Sequence, residues 1–114
     1  MNEKIGVLNG LGADTASGIM RCAGKEELYV MLVGKALADA NFEKLAASVS
    51  GAETENAFQA AHALKGVLAN LSLTPLADKV ATVTETLRGG AIPSFDEISA
   101  IEALRAEFIE KLGL

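Results

Sequence analysis

An all-α fold, an antiparallel up-and-down four-helix bundle with one or two accessory N-terminal helices, is predicted by three features of these 114 residues. Ala, Leu, Glu and Lys dominate, Pro occurs twice, Trp is absent and aromatics make up 4%, a balance that suits helices rather than a sandwich or barrel. Apolar residues recur at three- and four-residue spacing in four stretches, 25–40, 54–71, 75–88 and 95–112, each able to bury one stripe. The breaks between stretches are short and carry Gly or Pro, which makes successive long helices antiparallel neighbours. The chain is 50% hydrophobic, enough for one modest core, so residues 1–114 are expected to form a single domain.

Residues 1–13 are punctuated by Gly6, Gly10 and Gly12, so no long helix is expected before Asp14, and the segment should pack loosely or lie across the bundle. Asp14 is a good N-cap for a short helix over 15–22, which Gly24 ends. The next helix, over 25–40, is expected to turn Leu28, Met31, Leu32 and Leu37 inward. Asn41 caps a further helix through Ser50, and Gly51 stops it. In the helix over 54–71, Ala57, Ala61, Leu64, Leu68 and Leu71 fall on one narrow stripe. Thr74-Pro75 reads as N-cap plus first helical residue, and Leu76, Val80, Val83 and Leu87 form the next inward stripe before Gly89-Gly90. Ser94-Phe95-Asp96-Glu97 is a capping box that opens the last helix, with Ile98, Ile101, Leu104, Phe108 and Leu112 facing the core. No internal repeat or low-complexity tract interrupts this order.

Charge and cysteine content narrow the function classes. The net charge is −5 with a pI near 4.8, so the basic footprint of a nucleic-acid binder is missing. Cys22 is the only cysteine, which precludes an internal disulfide and suits a reducing compartment. One His and one Cys do not make a structural zinc site. No apolar run reaches a membrane span of roughly 18 to 20 residues, and no basic region followed by an apolar run opens the chain. A cytoplasmic protein away from membranes is expected, and the initiator-type Met1 with the ending at Leu114 favours a complete small protein. Gly10-Leu11-Gly12 does not extend to a dinucleotide fingerprint, because Thr15 stands at the third glycine position. Gly24-Lys25 is followed by Glu26, and Gly18 lies one residue too far upstream for a phosphate-binding loop. Without an ATP site, any phosphoryl group on this chain must come from elsewhere.

The one histidine, His62, is on the wrong face to be core. On a helical wheel it points roughly 140° from the buried stripe of its helix. Phe58 at i−4, Lys65 at i+3, Gly66 at i+4 and Ala69 at i+7 are its surface neighbours. Glycine at position 66, inside an alanine- and leucine-rich helix, costs about 1 kcal/mol relative to alanine. One physical reading is that a bulky group approaches His62 from the Gly66 side, where any Cβ would obstruct it. Lys65 then supplies a compact positive charge for an anion. The other is a solvated histidine beside a tolerated glycine.

The run His62-Ala63-Leu64-Lys65-Gly66, followed by Ala69-Asn70-Leu71, resembles the histidine phosphotransfer (HPt) domain family, whose signature is His-x-Leu-Lys-Gly followed by small residues and Leu-Gly. The resemblance extends to Gly18, Arg21 and Leu28-Tyr29, which look like the family's upstream Gly, Arg and Leu-Tyr segment. Two positions depart from the pattern: Val67 stands where a small residue is usual, and Ser72 replaces the second glycine.

The resemblance implies a phosphorelay intermediate of two-component signalling. Nε2 of His62 would take a phosphoryl group from a receiver-domain aspartyl phosphate and pass it to another receiver, with Lys65 balancing charge and Gly66 clearing the approach. Neutral imidazole is a competent nucleophile for this mixed anhydride. The implied partners are response-regulator receiver domains and hybrid sensor histidine kinases. No cofactor is expected in this chain, with magnesium supplied by the receiver, and a monomer without autokinase activity is expected. Phe58, with Ala69 and Val67, reads as an apolar docking patch, and Gln59 at i−3 is placed to donate to the phosphoryl oxygens or to the partner. Arg88 ends the following helix, where the family often has basic groups facing the histidine; a cation there also suits a helix C-terminus on its own. The alternatives are a helical adaptor that only binds, and the phosphoacceptor domain of a chemotaxis-type histidine kinase.

Overall fold

The helix that carries His62 has a partner on either side. The computed structural model describes residues 2–114; Met1 lies outside them. Seven helices follow one another: α1 (Glu3–Gly10), α2 (Thr15–Arg21), α3 (Glu26–Leu37), α4 (Asn41–Ser50), α5 (Thr54–Asn70), α6 (Thr74–Arg88) and α7 (Phe95–Leu112). No strand occurs among the described residues. The closest pairings are α5 with α6 and α5 with α4, and α6 also packs on α7. Helix α7 in turn meets α1 and α3, so the N-terminal helices close over the far side of the core. Helix α4, read from the sequence as lying outside the four principal stripes, is thus a direct neighbour of α5.

The expected stripes of the C-terminal helices are buried. Ala57, Ala60, Ala61, Leu64 and Leu68 of α5 are closed off from solvent, as are Leu76, Val80, Val83 and Leu87 of α6. Ile98, Ile101, Phe108 and Leu112 line the inner side of α7, and Leu104 packs against them half-buried. The capping box forms as expected: the Glu97 amide donates to Ser94 Oγ at 3.1 Å, and the Ser94 amide donates to Glu97 Oε1 at 3.1 Å. Arg105 ties α7 to the corner between α3 and α4. Its Nε donates to the Leu37 carbonyl, and its guanidinium lies 4.6 Å from the Phe42 ring centroid.

Several N-terminal expectations are corrected. Residues 3–10 form a helix despite Gly6 and Gly10, because Asn2 caps it and Ile5 and Leu8 enter the core. Burial of two large side chains outweighs a propensity cost of about 1 kcal/mol per glycine. In α3 the inward face is Tyr29, Val33, Ala36 and Leu37, whereas Leu28 and Met31 are 36% and 50% exposed and Leu32 is intermediate. Asn41 is the first residue of α4 rather than its cap, and its amide donates to Asp39 Oδ1 at 2.7 Å. Gly51 stops α4 as expected, as its C-cap with φ −84°, and the left-handed turn falls on Ala52 at φ 55°. Thr74 and Pro75 lie inside α6, whose N-cap is Leu73.

Candidate functional site

The alanine-rich inner face of α5 fixes what its outer face presents. With Ala57, Ala60, Ala61, Leu64 and Leu68 turned to the core, Gln59, His62, Ala63, Gly66, Val67 and Ala69 stand exposed. The imidazole of His62 is stacked on the half-buried Phe58 one turn earlier, with ring centroids 5.7 Å apart and planes 16° from parallel. Above Phe58 lies the Arg88 guanidinium from the last residue of α6, 5.1 Å from the ring centroid. Arg88 is itself held by Glu85, with Nε 3.3 Å from Oε2. Phe58 and Arg88 border an open groove between the start of α5 and the end of α6, lined also by Thr54, Glu55, Leu87 and Gly90.

On the other side of His62 the surface is clear. A Cβ built on Gly66 would meet nothing within 4 Å, so packing inside the chain does not call for glycine there. Lys65 is partly buried and, among the described residues, forms no ion pair. Its ammonium is therefore free for an anion beside His62. Gln59, in contrast, turns away from the imidazole: its Nε2 donates to Glu55 Oε1 at 3.1 Å. The structure thus gathers Phe58, Arg88 and His62 into one contact set and leaves Lys65, Gly66 and Ala69 along the same exposed face.

The C-terminal turn of α5 is held by residues whose partners the sequence did not give. Tyr29 is fully buried and its hydroxyl donates to the Leu71 carbonyl at 2.8 Å. Burial pushes that phenol up to about 12, with Cys22 and Asp14 adding to the shift. Arg21 Nη1 donates to Ser72 Oγ at 2.8 Å and to the carbonyls of Asn70 at 3.1 Å and Ala69 at 3.2 Å. The Asp14 amide donates to the Ser72 carbonyl at 3.0 Å. Carbonyls left over at a helix end are thereby satisfied by side chains from α2 and α3. Ser72 adopts φ 55°, a conformation that favours glycine, and its hydroxyl is the group that meets Arg21. Gly18 belongs to the same cluster: a Cβ there would fall 2.3 Å from the Tyr29 ring and 2.9 Å from the Leu71 oxygen. The signal was the Gly18 to Tyr29 segment itself, whose residue types were noticeable although their partners were not.

Among the described residues no group of three or more His, Cys, Asp or Glu side chains is placed to hold a metal, and no helix is long and apolar enough to cross a membrane. No curated protein and no solved structure matches the chain. A family model does: that of the Hpt domain, over residues 35–112, which takes in α4 to α7 and the whole of the His62 face. Hpt domains carry phosphoryl groups in two-component signalling, working with receiver and kinase domains and generally without kinase activity of their own. The match spans more than half of the 114 residues and includes the whole helix with the exposed histidine, and the chain belongs to the Hpt domain family.

Proposed function

We propose that this chain is a phosphorelay intermediate in which His62 accepts a phosphoryl group from the aspartyl phosphate of one receiver domain and passes it to the aspartate of another. The observation that carries this reading is the exposed histidine of α5 beside a glycine whose open side nothing in the chain fills. In the transfer, the Nε2 lone pair attacks phosphorus, the N–P bond forms and the P–O bond to the carboxylate breaks. The carboxylate leaves with the bonding electrons, and the proton on Nδ1 stays in place. Attack by a second aspartate reverses the process and restores the neutral ring. Such reactions are governed by positioning and charge. Lys65 offsets the negative charge of the phosphoryl oxygens, and Gly66 lets the partner's acidic site come close.

Receiver domains and hybrid sensor histidine kinases are the proposed partners, with magnesium held by the receiver and no cofactor in this chain. Phe58, Gln59, Ala69 and Arg88 border the proposed docking face, Gln59 after release from Glu55. The finer architecture we propose is a single domain over residues 1–114, an antiparallel up-and-down four-helix bundle, monomeric and cytoplasmic, without autokinase activity. The test is transfer from a phosphorylated receiver domain. His62→Gln should abolish acid-labile, alkali-stable phosphate uptake while the melting temperature stays close to wild type, since the side chain is exposed. Uptake by the variant, or labelling of the wild-type chain by ATP alone, refutes the proposal.

A further inference from the structure

We propose that Phe58 is a positioning residue for phosphoryl transfer: clamped by Arg88 from the end of α6, its ring holds the His62 imidazole in the rotamer that meets the incoming group. The proposal rests on His62 being the phosphoacceptor. An exposed imidazole on a helix has more than one χ1 well and a broad χ2. Only part of that ensemble points a ring nitrogen where a partner can reach it. In this structure the ring is stacked at 5.7 Å and 16° on Phe58, within the offset range that aromatic pairs prefer. Phe58 lies on the N-terminal side of His62, the direction in which long helical side chains lean. Stacking there keeps the imidazole away from Gly66, and the opening over Gly66 stays clear.

The stack is flanked by α6. Phe58 is half-buried against α6, where it shares a groove with Leu87 and Arg88. The Arg88 guanidinium lies 5.1 Å from the Phe58 centroid and is anchored by Glu85 at 3.3 Å, so a cation favours the ring face it covers. A series of contacts thus runs from the end of α6 to the reacting ring: Glu85, Arg88, Phe58, His62. Two side chains already lie against the Phe58 ring, so at the docking face it carries the imidazole as well as lining the groove.

The experiment compares full-length wild-type, Phe58→Leu and Phe58→Tyr chains, charged by an isolated receiver domain preloaded with acetyl phosphate and, separately, by phosphoramidate. Phe58→Leu is expected to lower kcat for receiver transfer about 3- to 10-fold with KM unchanged, the scale on which one aromatic pair biases a rotamer. Phe58→Tyr, which keeps the ring, should restore the rate to within about twofold, on the same stacking scale. Labelling by phosphoramidate, a small donor that needs no docked geometry, should fall by less than receiver transfer does in Phe58→Leu. The carbon-bound protons of His62 should show an upfield ring-current shift in wild type and Phe58→Tyr that is absent in Phe58→Leu. A loss confined to KM would make Phe58 a docking contact and overturn the proposal, as would equal rates in wild type and Phe58→Leu. Phosphoramidate labelling slowed as much as receiver transfer, with a lowered melting temperature, would mean a structural role and overturn it too. A wild-type chain that takes nothing from the receiver overturns the function proposed above, and this role with it; a normal wild type beside an unaffected leucine variant overturns this role alone.

Discussion

Two glycines bear on helix α5, and what surrounds them is opposite. Gly18 faces its C-terminal turn, where a methyl group would stand 2.3 Å from the Tyr29 ring; Gly66 faces outward, where a methyl group would touch nothing within 4 Å. The surroundings differ in the same sense. At the turn, Arg21 and Tyr29 donate to the backbone and the side chain of residues 69–72, whereas beside His62 the Lys65 ammonium has no acidic partner among the described residues. The C-terminal end of the helix is saturated and its middle is left open. Glycine meets crowding within the fold in the first region and open space in the second.

Substitution at each site should separate these cases. The largest change in stability is expected for Gly18→Ala, because the contact is with a ring packed in the core and with backbone oxygen, neither of which yields cheaply. Overpacking of this kind costs about 1 to 3 kcal/mol, a fall of roughly 5 to 15 °C in melting temperature for a domain of this size. A melting curve that matches wild type would show that the turn is looser than its hydrogen bonds indicate.

Tyr29→Phe comes next. It leaves the Leu71 carbonyl without the hydroxyl donor, for a cost of about 1 to 2 kcal/mol. The same side chain gives the turn an alkaline limit. Burial raises the phenol from 10.0 to about 12, so the folded state keeps a proton that the unfolded chain loses first. The associated stability is complete below pH 10 and falls as the pH rises through about 12, by on the order of 2 kcal/mol. Chemical denaturation at pH 8 and pH 11 should therefore show a smaller drop for Tyr29→Phe than for wild type. Equal drops would refute the assignment.

The smallest stability change, and one of opposite sign, is expected at Gly66. Gly66→Ala should stabilise the chain by about 0.4 to 1 kcal/mol, since alanine is the better helix former and the position is open. Transfer from a receiver should nonetheless slow, by up to about a hundredfold for a displacement near 1 Å. A variant that is more stable and equally fast would remove the access role from Gly66 and reduce the contrast between the two glycines to a matter of packing.

How much of this was legible in the sequence depended on whether a helix has one apolar face or several. Helix α5 has one narrow stripe, so the wheel placed His62, Lys65, Gly66 and Ala69 outside the core, where they are found. Helix α3 carries six consecutive apolar residues from Leu28 to Val33, and periodicity alone cannot choose among their faces. What chooses is the Tyr29 hydroxyl, whose acceptor lies 42 residues away in sequence. For α1 the glycines were visible and the compensating burial of Ile5 and Leu8 was not. At the site itself, the closeness of Arg88 to Phe58 depends on how α6 ends beside α5, and the turn of Gln59 toward Glu55 is an i−4 alternative that a list of neighbours does not rank. Residue identity told which face was exposed; rotamers and long-range partners told what that face touches.

The clamp on the α5 turn also separates two meanings of a domain boundary. The stretch that resembles other Hpt domains begins at Lys35, yet Asp14, Gly18, Arg21 and Tyr29, which close the end of the histidine helix, all precede it. A fragment cut at the family boundary would keep every atom of the His62 face and lose the buried phenol, the guanidinium and the amide that hold the helix end beneath it. For expression or for grafting onto another protein, the transferable unit therefore starts upstream of Asp14, because what identifies the family and what lets this copy of it stand are carried by different residues.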